Sequence, residues 1–194
     1  YIKLAEGCDK HCTYCIIPKI RGRQRSRKME DIVREARRLA KEGVRELILI
    51  AQDTGEYGTD IYGERKLAEL LILVDQIEEL RWIRLLYVYP ETIDDKLIAV
   101  MANAKRILPY IDIPFQHISD AVLRKMGRMT DSLSIHQLIA TLRESIPEIV
   151  IRSTFIVGFP QETKDDVQEL ADFLRESRLD RVGIFRYSKE EGTP

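Results

Sequence analysis

Cysteine is scarce in this sequence: three residues in 194, all inside the stretch "EGCDKHCTYC" from Glu6 to Cys15. A disulfide framework would scatter an even number along the chain, so the odd cluster argues against one. It points to a reducing compartment and a metal or redox role, and the cytoplasm is the expected location. An excess of charge of one sign is lacking too. With 31 basic and 32 acidic residues the net charge is -1, so no global field draws the chain to nucleic acid or membrane. No apolar run nears the roughly 20 residues that span a bilayer. The opening "YIKLAEGC" lacks the charged-then-apolar order of a signal peptide. Low-complexity segments are missing as well, and Pro160 and "GRMTDS" read as loop punctuation rather than linkers.

What is present is an alternation. The β-branched runs "YIKLA", "VRELILIAQ", "WIRLLYVY", "YIDIPF", "EIVIRSTFIV" and "RVGIFRYS" are separated by charged stretches of helical period. In the helix expected from about Met29 to Glu42, Ile32, Val33, Ala36, Leu39 and Ala40 share one face, and Gly43 supplies the stop. The second half of "VRELILIAQ" is almost continuously apolar, which predicts a parallel strand covered on both sides. Six such units suit either an open doubly wound α/β sheet or part of a (βα) barrel, since a complete eight-fold barrel takes about 250 residues. Polar punctuation follows the strands at "AQDTGEYG", "YVYPET", "PFQHIS" and "GFPQET". That carboxyl edge is where α/β folds assemble their sites. "YIKLAEG" reads as the start of a strand and "SKEEGTP" as an exit loop, so residues 1–194 are expected to be a single domain of a longer protein.

The cysteine spacing is C-x-x-x-C-x-x-C. Three thiolates on one short loop can hold three corners of an iron–sulfur cube, leaving one iron free to chelate a small molecule through an amine and a carboxylate. The alternative is a non-catalytic zinc scaffold with His11 as a fourth ligand, although closed zinc sites usually draw on a distant second pair, which is missing.

C-x-x-x-C-x-x-C with Tyr14 before its last cysteine resembles the signature of the radical S-adenosylmethionine (radical SAM) enzymes. The resemblance implies a partial (βα)6 TIM-like barrel and a [4Fe-4S] cluster on Cys8, Cys12 and Cys15. It also implies that S-adenosyl-L-methionine (SAM) binds the fourth iron and is cleaved to a 5′-deoxyadenosyl radical that takes a substrate hydrogen. "GCDKHCTYCIIPKIRGRQRSR" resembles the opening of the methylthiotransferases. Four stretches, "AQDTGEYG", "YVYP", "DIPFQHIS" and "RSTFIVGFPQET", resemble the branch acting on an aspartate of ribosomal protein S-twelve rather than the branch acting on adenosine in tRNA. The implied partners are that protein or the small ribosomal subunit, and an electron donor such as flavodoxin or ferredoxin, with no membrane. An amino-terminal domain with a second cluster and a carboxy-terminal TRAM domain belong to the family pattern but not to this sequence. On that reading the piece would bind SAM and one cluster without completing methylthiolation.

The resemblance also assigns roles. Tyr14 falls near the adenine, or else shields the cluster from water. Gln52 and Asp53 fall near the methionyl amine, or else cap the following helix. Gln116 ends the fourth strand within reach of the ribose or methionyl group, and His117 reads as a packed, hydrogen-bonded histidine. Arg152 is placed to clamp the SAM carboxylate; its other reading requires a neighbouring Asp or Glu. Of Ser153 and Thr154 only one can share its inward face, and Thr154 is the choice for the cofactor. Glu162 is expected in a helix cap. Phe185 and Tyr187 either border the adenine or pack in the core. Tyr87 and Tyr89, read as one face of the third strand, are the substrate-facing candidates. The basic stretch Arg21, Arg23, Arg25, Arg27 and Lys28 is either a solvated run or a contact for ribosomal RNA or the absent domains.

Overall fold

A computed structural model of the protein describes residues 1–193, so Pro194 of the exit segment lies outside the described residues. The chain begins with β1 (Ile2–Lys3), β2 (Ala5–Glu6), α1 (Ile17–Arg21), β3 (Arg25–Ser26), α2 (Met29–Lys41) and β4 (Glu46–Ile50). It continues with α3 (Thr59–Tyr62), α4 (Leu67–Asp75), β5 (Trp82–Leu85), a 3-10 turn (Pro90–Thr92), α5 (Asp95–Asn103) and β6 (Ile107–Asp112). The last elements are α6 (Asp120–Lys125), α7 (Ser132–Ser145), β7 (Val150–Val157), α8 (Lys164–Ser177) and β8 (Arg181–Arg186).

Six strands form one sheet in the order β1-β4-β5-β6-β7-β8, every neighbouring pair parallel. Each strand therefore lies beside the next one along the chain. A doubly wound sheet would reverse its order at a switch point, so this order is that of a barrel wall. The edges, β1 and β8, are not paired with each other, which leaves the barrel partial.

Helix α2 forms where its periodicity predicts. Ile32, Val33, Ala36 and Ala40 are buried, Glu30 and Asp31 sit in the first turn, and Arg38 and Lys41 in the last, matching the helix dipole. Gly43 follows at φ +100, a left-handed stop that residues with a Cβ rarely adopt. Helix α8 opens on a capping box, in which Thr163 Oγ1 accepts from Asp166 N–H and the Asp166 carboxylate accepts from Thr163 N–H. Glu162, expected in that cap, is not part of it. Its carboxylate accepts from Gly158 N–H and lies 2.9 Å from His117 Nε2, leaving the cap to its neighbour.

The two faces of the sheet differ. Leu47 and Leu49 of β4, Ile83 and Leu85 of β5, Ile111 of β6, and Ile151 and Phe155 of β7 are sealed under the helices. The alternate residues Ile48, Ile50, Arg84, Tyr110, Arg152, Thr154 and Ile156 remain partly exposed on the other face. The expectation that β4 is covered on both sides is thus corrected: helices cover one side only, and the apolar residues of the other border the open interior of the barrel.

Among the short pieces that escaped the sequence reading, two flank the cysteine loop. β2 pairs antiparallel with β3, Ala5 opposite Ser26 and Glu6 opposite Arg25, folding the arginine-rich stretch back beside the first strand. Helix α1 follows Cys15 directly, with Pro18 in its first turn. Both are too short to show a period.

Candidate active site

The cysteine loop leaves β2 and enters α1, and its backbone is tied at several points. Gly7 has φ +84, and a Cβ there would lie 2.2 Å from Arg23 O, so only glycine lets the chain turn beneath the β3 stretch. Gly7 N–H donates to Gln52 Oε1 at 2.7 Å, and Cys8 N–H donates to Gly22 O at 3.1 Å. Thr13 holds the far side: its N–H donates to Met126 O at 3.1 Å and its hydroxyl to Lys125 O at 2.8 Å.

All three thiols are free; Cys8 and Cys12 are buried and Cys15 is half-buried. Burial pushes the Cys8 thiol up to about 11, against the pull of Lys10 N–H, and Asp53, Cys12 and Cys15 add like-charge repulsion. Burial raises the Cys15 thiol as well. Such thiols ionise when a metal supplies positive charge, and three soft sulfurs are the donor set of an iron–sulfur cube. Among the described residues no three His, Cys, Asp or Glu side chains converge as ligands of a single metal ion, and His11 is exposed. A cube binds each thiolate through a different iron and needs no single point of convergence. A cavity of about 280 Å³ adjoins the thiols, lined by Cys8, Cys15, Ile17, Ala51, Gln52, Tyr87 and Tyr89.

Tyr87 and Tyr89 do not share a strand face, because β5 ends at Leu85. Tyr87 sits at φ +59 and is exposed, while Tyr89 is half-buried before the 3-10 turn. The left-handed backbone at Tyr87 ends the strand, yet both rings still reach the cavity. The Tyr89 hydroxyl stands 3.7 Å from Cys12 Sγ.

The other candidates distribute as follows. Tyr14 packs beside Val122, Met126 and Phe159, and its buried hydroxyl has no hydrogen-bond partner. Gln52 serves the cysteine loop rather than a helix. Asp53 is buried and does not cap a helix: its Oδ1 accepts from Gly55 N–H at 3.0 Å, and its Oδ2 has no hydrogen bond. Burial lifts the Asp53 carboxyl to about 7, opposed by Lys10, whose Nζ lies 3.9 Å away. Gln116 lies beyond the end of β6, at φ +73, bridging to Phe155. His117 is fully buried between Ser119 N–H, which donates to its Nδ1 at 3.0 Å, and Glu162. Arg152 has the carboxylate neighbour its alternative reading required: Nη1 is 2.7 Å from Asp112 Oδ1. Thr154 and Phe185 are on the open face, where Thr154 pairs with Gly183 and Phe185 with Ile156. Phe185 is exposed, whereas Tyr187 packs edge-on against Phe159 at 5.1 Å.

Sequence reasoning missed Arg128, inside the "GRMTDS" stretch read as punctuation. It is only 6% exposed, its Nη2–H donates to Pro114 O at 2.8 Å, and its guanidinium lies 4.2 Å from the centre of the Tyr89 ring. Lys10 was missed too, with Nζ 3.3 Å from both Glu56 and Glu91. Neither carries a sequence signal, since each acquires its partners only through folding.

Known proteins match this architecture. A ribosomal protein uS12 methylthiotransferase RimO of Clostridium botulinum (strain Eklund 17B / Type B) is 58% identical over all 194 residues, which span 44% of that protein. One from Alkaliphilus oremlandii (strain OhILAs) is 54% identical, again over the whole chain and 44% of the relative. The chain thus spans less than half the length of these relatives. Among solved structures, the radical S-adenosylmethionine methyltransferase TsrM from Kitasatospora setae, with cobalamin and a [4Fe-4S] cluster bound, superposes with a TM-score of 0.76 at 19% identity. That match covers 95% of this chain and 36% of TsrM. Methylornithine synthase (PylB) matches all of this chain and 54% of its own, with a TM-score of 0.70 at 15% identity. The radical SAM superfamily model matches residues 2–174, from the first strand through most of α8. With its three-cysteine loop at the carboxyl edge of a six-stranded partial barrel, the chain belongs to the radical SAM superfamily.

Proposed function

We propose that this chain is the radical SAM core of a methylthiotransferase that modifies an aspartate β-carbon of ribosomal protein uS12. The observation that carries the reading is the set of three free thiols, Cys8, Cys12 and Cys15, held on one pinned loop beside a cavity at the strand ends. The match of all 194 residues to 44% of the RimO relatives supports the substrate. The remainder of the protein would supply the amino-terminal and TRAM domains, the substrate would come on the small ribosomal subunit, and the reductant would be a flavodoxin or ferredoxin in the cytoplasm. No helix among the described residues is long and apolar enough to cross a membrane.

Cys8, Cys12 and Cys15 would hold the [4Fe-4S] cluster, which with SAM supplies hydrogen-abstraction chemistry by one-electron cleavage of the sulfonium. The chain's own residues bind, orient and exclude. Gln52 holds the start of the cysteine loop through Gly7 N–H. Tyr14, Ile17 and Ala51 put apolar surface around the thiols and keep water off them. Asp53, whose Oδ2 has no hydrogen bond and faces Lys10 Nζ at 3.9 Å, would meet the methionyl amine, and Gln116, Thr154 and Phe185 would border the nucleoside across the open face. Arg152 would reach a carboxylate only by leaving Asp112. Tyr87, exposed on the cavity rim, would meet the substrate, and Tyr89 lies deeper.

The test is anaerobic reconstitution of the full-length protein with iron and sulfide. Absorbance near 400 nm, roughly where thiolate-to-iron transitions fall, and release of 5′-deoxyadenosine from SAM are expected. Methylthiolation of uS12 and not of tRNA is the expected selectivity. Modification of tRNA alone would overturn the substrate, and a colourless protein would overturn the cluster.

A further inference from the structure

Arg128 is a buried cation with no salt bridge among the described residues. Every close contact it makes is to a carbonyl, a ring or a sulfur: Pro114 O, the Tyr89 ring, and Cys12 Sγ at 4.0 Å from Nη1. Its Nε has no hydrogen-bond partner among the described residues. A guanidinium held away from water is costly unless an anion answers it; among the described residues no acidic side chain pairs with it directly, and Glu91 acts on it only from farther off, beside Tyr14, Tyr89 and Cys12. The Tyr89 hydroxyl reaches the same sulfur, 3.7 Å away, and the face of its ring lies under the guanidinium. Two polar groups from opposite sides of the loop, one after α6 and one after β5, therefore converge on one of the three thiols.

We propose that Arg128 and Tyr89 are tuning residues that stabilise the negative charge of the reduced cluster through Cys12, raising its reduction potential. The proposal rests on the cluster reading above. A thiolate-bound cluster gains one electron and one further negative charge on reduction, so a fixed cation and an O–H donor at a ligating sulfur favour the reduced form. Cys8 and Cys15 have no comparable side-chain donor among the described residues. Cys8 receives only the Lys10 backbone N–H, at 3.4 Å. The asymmetry places the extra charge beside Cys12, away from the open cavity lined by Cys8 and Cys15. Arg128 also gives the loop a rigid backing, because its Nη2 is fixed by Pro114 O just after β6.

The test is a potentiometric titration of the full-length protein, reconstituted anaerobically and followed by electron paramagnetic resonance. The signal to titrate is the one that disappears when Cys8, Cys12 and Cys15 are all changed to alanine. Arg128→Met is expected to move its midpoint to more negative potential, Tyr89→Phe to move it less in the same direction, and Arg128→Lys to restore part of the shift. A midpoint unchanged in Arg128→Met and Tyr89→Phe, at full iron content, overturns the proposal. Should Arg128→Met fail to fold, Tyr89→Phe decides alone, since it removes only the hydroxyl. Absence of any cysteine-dependent signal in the unaltered protein would instead overturn the cluster reading.

Discussion

The two faces of the central sheet are built from the same kinds of residue but serve opposite ends. On β7, Ile151, Ser153 and Phe155 are completely buried, with Phe155 stacked edge-on against Phe173 of α8 at 6.1 Å. Their neighbours Arg152, Thr154 and Ile156 stay accessible on the open face. The covered face carries the stability, because each fully buried large apolar side chain contributes roughly 1.5–3 kcal/mol. The open face and the carboxyl edge above it carry the polar and sulfur groups, and leave them room for ligands. The difference teaches that residues one position apart can be separated in role by the pleat alone.

Substitutions should separate the two regions. The largest effect belongs to the edge: changing Cys8, Cys12 or Cys15 to alanine is expected to abolish 5′-deoxyadenosine release and to remove one cluster's share of the absorbance near 400 nm (roughly, for such clusters), while circular dichroism stays native. On the covered face Leu49→Ala should cost about 2–5 kcal/mol, measured by urea denaturation, because it opens a cavity where nothing can collapse. Ile48→Ala, next door on the open face, should cost about 1 kcal/mol or less in the same assay. Equal losses for the two would break the comparison.

The smallest effect lies at the helix ends. Thr163→Ala removes the α8 capping box and should cost about 1 kcal/mol. Hydrogen bonds from Ser119 and Thr163 hold the Asp166 carboxyl down to about 2, from an ordinary 3.8. Its stabilising contribution is present above the ordinary value and is lost as pH falls toward 2. Asp166→Asn is therefore expected to lower stability at neutral pH and to flatten the acid decline between about pH 4 and 2.

Much of the site was readable because chemistry fixed it locally. The spacing of Cys8, Cys12 and Cys15 needs no tertiary context to suggest a shared metal group, and the glycine at Gly43 marks a helix end wherever that helix packs. Tyr89 was found as a residue but misread as strand, since nothing in "YVYP" reveals that Tyr87 turns to φ +59. Arg152 had two readings, an anion clamp or a residue paired with a neighbouring carboxylate, and only the β6–β7 register reveals that Asp112 stands beside it.

The sequence by itself determined the strand–helix alternation, the placement of polar residues after strands, and the spacing of the three cysteines, because period and spacing are properties of neighbouring residues. Only the tertiary structure decided the order of strands, which sheet face helices cover, and the approach of Arg128 to Cys12 across 116 positions of chain. Those depend on contacts between residues far apart in sequence, and no local pattern encodes which distant partner will be met.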